Sequence, residues 1–211
     1  MLSRKVITRR GRRFRGKFPS AKMGRMVAWE SLLERDAILL LELSHGVVNY
    51  QEQPTVIQFS DGTQVREYYP DFELTLLDGS LVHLEVKPST ELAKPEIRSK
   101  YERIAEHYHT KQFDFRIVTE LEIRREPLFS NLEELAYVHS HPWHLLPTDS
   151  ALVEFFRGEA QTLQDCDRML GPASTRRLIA TGKLICNLEQ PLTADTSVQL
   201  CAGEQNATIL L

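Results

Sequence analysis

Two neighbouring strand-like segments, residues 65–77 and 81–87, constrain the fold most, because apolar and polar side chains alternate over 71–76 of the first and 82–87 of the second. Successive side chains of a β-strand point to opposite faces, so this alternation predicts strands with one apolar face. A turn sequence, Asp78-Gly79-Ser80, separates the two segments. We therefore expect an antiparallel hairpin whose apolar face is covered by a helix.

The register of this hairpin can be predicted, because directly opposed residues share a face. The apolar sets oppose each other if Phe72, Leu74 and Leu76 pair with Val86, Leu84 and Val82. That pairing requires a three-residue loop, 78–80, with Gly79 or Ser80 in the left-handed conformation. It places Asp71 opposite Lys87, Glu85 one diagonal away, and Glu73 opposite Glu85.

The polar face of the predicted hairpin carries Asp71, Glu85 and Lys87 close together. One or two carboxylates, with several waters retained, is how Mg²⁺ is usually held. A metal there would polarise a scissile phosphate and lower the pKa of a bound water, and a lysine beside it could neutralise developing charge. The alternative is a solvated strand face with ordinary surface residues. Pro70-Asp71 at one strand start and Glu85-x-Lys87 at the next strand end favour the site.

The flanking segments predict a mixed α/β core. Ser31 is a candidate N-cap with Glu34 three residues later, before a helix that extends to about Leu43. Further predicted elements are a short strand at 56–59, a helix opened by Pro95 with its apolar stripe on Ile97, Tyr101, Ile104, Ala105 and Tyr108, and a strand at 113–119.

The chain changes character at about Pro142. Three short predicted helices, 151–157, 160–170 and 174–181, precede a predicted hairpin at 183–188 and 193–200. This order indicates a small winged-helix-like domain. The predicted domains are a basic arm at 1–25, a nuclease domain at 26–141 and the winged-helix-like domain at 142–211.

The charge is distributed unevenly. Residues 1–25 hold ten basic side chains and no acid, whereas the rest of the chain has 16 basic and 29 acidic side chains. We expect the arm to be disordered until it binds and to contact DNA phosphates. The candidate DNA-binding residues are Arg9, Arg10, Arg12, Arg13 and Arg15. A solvated tail or a partner-binding tail is the alternative.

Composition indicates the cellular compartment in which the protein is expected to act. No apolar run of about 18 residues predicts a transmembrane helix, and no apolar core follows the N-terminal charges, so export is not expected. The three cysteines lack metal-binding or disulfide spacing. The sequence therefore predicts a cytoplasmic, DNA-associated protein.

Several short motifs together resemble a known family. Pro70-Asp71 and Glu85-Val86-Lys87 resemble the PD-(D/E)xK nuclease signature. The ordered set is similar to the N-terminal domain of TnsA, the endonuclease subunit of heteromeric bacterial transposases, over roughly residues 25–125. Its pieces are Ser31-Leu-Leu-Glu-Arg-Asp36, Tyr50-Gln-Glu-Gln-Pro54, Tyr69-Pro-Asp-Phe72, Glu85-Val-Lys-Pro88 and Val118-Thr-Glu120.

The resemblance implies a restriction-endonuclease-like fold and a role for each site residue. Asp71 and Glu85 would be metal ligands, the Val86 backbone carbonyl a further ligand, Lys87 the catalytic lysine and Glu34 the acid from the first helix. The metal would be Mg²⁺, with Mn²⁺ as a substitute. Glu34 could instead serve only as a helix cap, Glu30 could replace it, and Glu73 is a candidate additional ligand.

The same resemblance implies the biological role. The family cleaves the 5′ (non-transferred) strand at transposon ends, together with a DDE transposase subunit (TnsB-like) and an AAA+ regulator (TnsC-like). Two alternatives remain: a stand-alone restriction or repair nuclease of the same fold, and a non-catalytic DNA-binding adaptor. The winged-helix-like segment could bind DNA through its third helix or dock a protein.

Overall fold

A computed structural model describes residues 14–60, 62–139 and 146–201. The described chain forms two compact units, one of residues 14–42 and 46–124 and one of residues 43–45 and 125–201. The domain boundary predicted at 141/142 stays a prediction; the observed grouping changes at 124/125.

The first unit contains most of the secondary structure. Its elements are β1 Gly16–Ser20, β2 Arg25–Trp29, α1 Leu32–Leu43, β3 Val47–Glu52, β4 Ile57–Ser60, β5 Val65–Tyr68, β6 Phe72–Leu76, β7 Leu81–Val86, α2 Ser89–Leu92, α3 Pro95–Thr110, β8 Asp114–Val118 and α4 Glu120–Ile123.

The central sheet of this unit has four strands in the order β3-β6-β7-β8. Neighbours are antiparallel except β7 and β8, which are parallel. The predicted mixed α/β core is confirmed. The helix opened by Pro95 is confirmed as α3, whose Tyr101, Ile104 and Tyr108 are buried.

The β6–β7 hairpin is confirmed, but its predicted register is wrong by two residues. Phe72 lies opposite Leu84 and Leu74 opposite Val82, rather than Phe72 opposite Val86. A shift of two leaves every side chain on its predicted face. The apolar pattern therefore could not distinguish the two registers.

The turn decides the register. Its three loop residues are 77–79 rather than 78–80, because Leu76 N–H donates to the Ser80 carbonyl at 2.9 Å and Gly79 N–H to the Leu76 carbonyl at 2.9 Å. Gly79 takes the left-handed conformation, with φ of 82°, which glycine adopts without a steric penalty. A three-residue loop with glycine at its third position is the favoured arrangement.

The predicted strand over 65–77 is two strands in different sheets. β5 pairs with β4 in a two-stranded sheet, whereas β6 belongs to the central sheet. Pro70, which lacks the N–H needed for a continuous ladder, lies between them. The short strand predicted at 56–59 is confirmed as β4.

Strand β3 is missing from the sequence-based prediction. A register irregularity between Val47 and Asn49 interrupts its pairing with β6. The buried side chains Val47 and Tyr50 are therefore three positions apart, which breaks the two-residue period that identifies a strand.

The prediction of a disordered arm over all of 1–25 is wrong for its last ten residues. Residues 16–20 and 25–29 form the antiparallel hairpin β1–β2. Its turn is anchored by Glu42 of α1, which accepts hydrogen bonds from Ser20 Oγ at 2.6 Å and Lys22 N–H at 2.8 Å. Arg25 forms two hydrogen bonds to the buried Glu52 carboxylate, at 2.8 and 2.6 Å. These partners lie far along the chain, so local charge density could not reveal them.

The second unit consists of α5 Leu128–His139, α6 Asp149–Phe156, β9 Gln161–Thr162, α7 Leu163–Leu170, α8 Pro172–Ala180, β10 Leu184–Cys186 and β11 Ser197–Leu200. Its sheet has three antiparallel strands in the order β10-β11-β9. The three helices and the hairpin lie near their predicted positions. The assignment to the winged-helix class stays a prediction.

Among the described residues, no helix is both long and apolar enough to cross a bilayer. All three cysteines are free thiols.

Candidate active site

The predicted site residues lie where β6 begins and β7 ends. Asp71 directly precedes β6 and accepts a hydrogen bond on Oδ2 from Val86 N–H at 2.8 Å. Glu85 lies inside β7, and Lys87 follows it with its backbone N–H donated to Val118 of β8 at 3.0 Å. The sheet therefore fixes all three backbone positions.

Glu85 is a buried carboxylate, with 3% of the residue exposed. Tyr68 OH donates to Oε2 at 2.6 Å, and Tyr101 OH donates to Oε1. Lys87 Nζ lies 2.9 Å from Oε1. Burial and the Glu85 charge raise the pKa of both tyrosines, so they remain hydrogen-bond donors at neutral pH. Glu85 is therefore held by two phenols and an ammonium group.

Glu34 reaches the same site from the first turn of α1. Its backbone N–H donates to Ser31 Oγ at 3.1 Å, which confirms Ser31 as a helix cap. Its carboxylate accepts from Ser31 Oγ at 3.0 Å and Glu30 N–H at 2.7 Å. The Glu34 carboxylate thus supports the start of α1 through Ser31 Oγ and the Glu30 N–H, and it also interacts electrostatically with Lys87. Capping and proximity to the site coexist in one side chain.

Negative charge accumulates here. Burial, and then the carboxylates of Glu85 and Glu34, raise the pKa of Asp71 well above its usual range. Burial and the nearby Glu30 likewise raise the pKa of Glu34, although hydrogen bonds from Glu30 and Ser31 oppose this. For Lys87, burial acts to lower the pKa, but Glu85 and Asp71 outweigh it and raise the pKa. Three carboxylates face one ammonium group, which favours a further cation.

The donor set fits a Mg²⁺ ion. Among the described residues, no group of three or more His, Cys, Asp or Glu side chains has metal-binding geometry. Mg²⁺ requires only one or two carboxylates together with waters, and the excess charge around Asp71 provides a reason for a dication to bind. Each oxygen of Glu85 accepts a hydrogen bond, yet a carboxylate oxygen has two lone pairs.

A cleft of about 620 Å³ opens beside the site, and its lining includes Glu34 and Lys87 but not Asp71 or Glu85. Glu34, Lys87 and Val86 line it on one side, with Glu30 beside them, and Lys100 and Tyr101 of α3 line the other. Phe14, at the start of the described chain, also lines it.

Most of the candidate DNA-binding arginines, Arg9, Arg10, Arg12 and Arg13, lie outside the described residues. Arg15 is described, and its guanidinium lies 3.9 Å from Glu30.

Glu73, the candidate additional ligand, is not opposite Glu85 as predicted. It lies opposite His83, whose Nε2 is 2.9 Å from the Glu73 carboxylate and whose Nδ1 is 2.6 Å from Tyr108 OH. An ionised carboxylate only accepts hydrogen bonds, so Nε2 carries a proton. The two-residue register shift therefore pairs Glu73 with His83. It also makes the predicted pairing of Asp71 with Lys87 wrong: next to the Phe72–Leu84 pair, Asp71 lies beside Glu85, whose carboxylate raises the pKa of Asp71.

Sequence reasoning missed Tyr68, Tyr101 and Lys100 as members of the site. Tyr101 was assigned only to the apolar stripe of α3, and Tyr68 only to a strand. Lys100 Nζ lies 5.7 Å from the Tyr68 ring centre and 5.1 Å from the Tyr101 ring centre. A tyrosine in an apolar stripe requires a partner for its hydroxyl when buried, and that signal could have indicated a polar group beneath α3.

Residues 44–120 match the family model described as TnsA-like endonuclease N terminal. Over this stretch the chain is similar to TnsA-like endonuclease N-terminal domains. The match includes Asp71, Glu85 and Lys87, whereas Glu34 and the second unit lie outside it. No curated protein matches the chain.

Tyr101→Phe should impair the TnsA-like site while leaving the fold intact. The substitution removes one donor to Glu85 and keeps the ring of α3 that packs against Tyr68. Loss of a residue that orients a ligand typically costs about 10-fold to 100-fold in activity or metal affinity. The measurement is the nicking rate as a function of Mg²⁺ concentration. Tyr137→Phe, on an exposed tyrosine of the second unit, is the matched control; equal rates for the two variants would show that Tyr101 does not position Glu85.

Proposed function

We propose that this protein is a Mg²⁺-dependent endodeoxyribonuclease with a restriction-endonuclease-like fold, which nicks the 5′ strand at transposon ends as a subunit of a heteromeric transposase. The observation that carries the proposal is the electrostatic coupling of Lys87 to Glu85, Asp71 and Glu34; all of these residues except Glu34 lie in the stretch that matches the TnsA-like model.

The side chains at the site suggest separate roles in binding the metal ion and in stabilising the transition state. Asp71 and Glu85 would hold the ion, with the Val86 carbonyl as a further ligand. Mg²⁺, or Mn²⁺ in its place, would supply Lewis-acid activation of the scissile phosphate. Lys87 lies 2.9 Å from Glu85, where its ammonium group can stabilise negative charge on the phosphate in the transition state.

Glu34 would act from the cleft wall. Its pKa is raised by burial, so its carboxylate is better suited to accept a proton from an attacking water than an ordinary surface glutamate. Glu30, 3.9 Å from Arg15 and on the same cleft wall, is the alternative group for this step.

The partners follow from the family. We propose a DDE transposase subunit (TnsB-like) that processes the 3′ ends and an AAA+ regulator (TnsC-like) that controls the assembly. The basic residues of the arm would contact the phosphates of end DNA. Because phosphate contacts do not read sequence, the partners would choose the target.

In the second unit, α8 corresponds to the third predicted helix of the winged-helix-like segment. The burial of its side chains favours protein docking over DNA reading by this helix. Pro172 is the only exposed residue of α8. Its Arg176 is bound to Glu134 at 2.9 Å and to Asp167, so this arginine is already neutralised within the unit. A helix that reads a major groove must expose a face to base edges.

Strand-specific nicking tests the proposed function. A linear duplex with one transposon end is incubated with the protein and its cognate DDE subunit, in Mg²⁺, in Mn²⁺ and in EDTA. We expect a single nick at the 5′ end in either metal and none in EDTA. Denaturing electrophoresis with each strand labelled separately identifies the cut strand.

A catalytically inactive DDE subunit is the control for strand assignment, since it leaves only cuts made by this protein. Nicking that persists in EDTA, or that occurs on the 3′ strand, would contradict the proposal. Nicking of any DNA at equal rates without the partner would favour a stand-alone nuclease.

A further inference from the structure

A second groove lies beside the active-site cleft, between β5 and α3. Its volume is about 360 Å³, and its lining includes three basic side chains, Arg66, Lys100 and Arg103. Glu67 and Glu96 also line it, so its formal charge is positive by one. This contrasts with residues 26–211 as a whole, which have 16 basic and 29 acidic side chains.

The three basic residues converge because of how their elements pack. Lys100 and Arg103 are three positions apart on α3 and therefore share a helix face. Arg66 lies opposite the buried Phe59 and two residues before the buried Tyr68. Residues two apart on a strand share a face, so Arg66 lies on the side of β5 that packs against α3.

Lys100 joins this groove to the active-site cleft, because it lines both. Its ammonium group lies over the rings of Tyr68 and Tyr101, the two tyrosines that hold Glu85. A polyanion that enters the cleft at Lys87 therefore meets a second cation at Lys100 before it reaches Arg66 and Arg103.

We propose that this groove binds the phosphate backbone of the substrate strand next to the cleaved bond, through Lys100, Arg66 and Arg103. The inference rests on the proposed function, because the path of the DNA strand from the cleft into the groove assumes that DNA is cleaved at the cleft. The groove fixes the register of the strand in the cleft without reading its bases. Arginine pairs with phosphate through two parallel N–H groups, which suits Arg66 and Arg103 to this role.

Salt-dependent DNA binding tests the groove. The full chain and its Arg66→Ala/Arg103→Ala variant are titrated against a short fluorescein-labelled duplex in EDTA, which scores binding without cleavage. Each phosphate contact contributes about −0.9 to the slope of log K against log salt. We expect the variant to bind about 10-fold more weakly and its slope to be less negative by roughly 1.8.

Arg98→Ala/Lys111→Ala is the matched control. It removes the same charge from exposed residues on and directly after α3 that do not line the groove. Affinity and slope within twofold of wild type are expected for it. Equal weakening in both double variants would overturn the groove and indicate a general effect of net charge.

The same preparations separate this inference from the proposed function. If wild type nicks DNA while the Arg66/Arg103 variant binds like the control, the groove is wrong and the nuclease stands. If wild type never nicks with the DDE subunit and Mg²⁺ present while that variant still binds more weakly than the control, the groove stands and the nuclease is wrong. A wild type that binds no DNA would overturn the groove.

Discussion

Asp71→Asn should lower the nicking rate at least about 100-fold, because the substitution removes the charge of a proposed ligand whose metal would lower the barrier by several kcal/mol. The same change should leave the protein as stable as wild type or more stable. Desolvation and the carboxylates of Glu85 and Glu34 raise the pKa of Asp71, so its ionised form is unfavourable in the metal-free fold. Denaturant unfolding and nicking on the same preparations measure both effects.

The pH dependence gives a second signature of this site. An acid with a raised folded-state pKa binds more protons folded than unfolded between its two pKa values, so stability falls as pH rises through that window. The stability gain of Asp71→Asn over wild type should therefore grow as pH increases from about 4, the ordinary aspartate value. Added Mg²⁺ should stabilise wild type and not the variant.

Lys87→Ala provides an independent check on the site assignment. If it or Asp71→Asn nicks at the wild-type rate, the assigned site is not catalytic. If Asp71→Asn destabilises the metal-free protein strongly, Asp71 is an ordinary structural residue. Asp78→Asn is the matched control, because Asp78 is exposed in the β6–β7 turn and should leave nicking unchanged.

Glu42→Ala should destabilise the first unit by about 3 kcal/mol or more, the scale for removing one partner of a buried charged network. Glu42 is 4% exposed and accepts from Ser20 Oγ, Tyr50 OH and Lys22 N–H. Burial lowers the pKa of Lys22 to about 8, and Glu42 opposes that change. Without Glu42, several buried donors lose their acceptor and the β1–β2 hairpin loses its anchor.

Urea unfolding measures the loss, and limited proteolysis shows where it occurs, with cleavage expected first in residues 16–29. Glu42→Gln should cost less, since it keeps an acceptor without the charge. Glu102→Ala is the matched control, because its surface pair with Arg98 at 3.8 Å is largely exposed and such pairs contribute about 0–1 kcal/mol. A loss no larger for Glu42→Ala than for Glu102→Ala would show that the hairpin is not anchored there.

The sequence by itself determined the identity of the elements that carry the site. Alternation placed Asp71, Glu85 and Lys87 on one face of a hairpin, and the cap pattern placed Glu34 in the first turn of α1. These are local signals with periods of two and about 3.6 residues, so they do not depend on distant contacts. The motif order was also sufficient to indicate the TnsA-like family, which the match over 44–120 supports.

Only the tertiary structure decided the register, the extent of the N-terminal arm and the surroundings of Glu85. A shift of two residues preserves both faces, so the turn at 77–79 had to select the pairing. Glu42 and Glu52 bind Lys22 and Arg25 from 20 and 27 positions along the chain, which a local excess of positive charge cannot reveal. The sequence identified Asp71, Glu85 and Lys87 as site residues. The two tyrosines that hydrogen-bond to Glu85, Tyr68 of β5 and Tyr101 of α3, reach it only through tertiary packing.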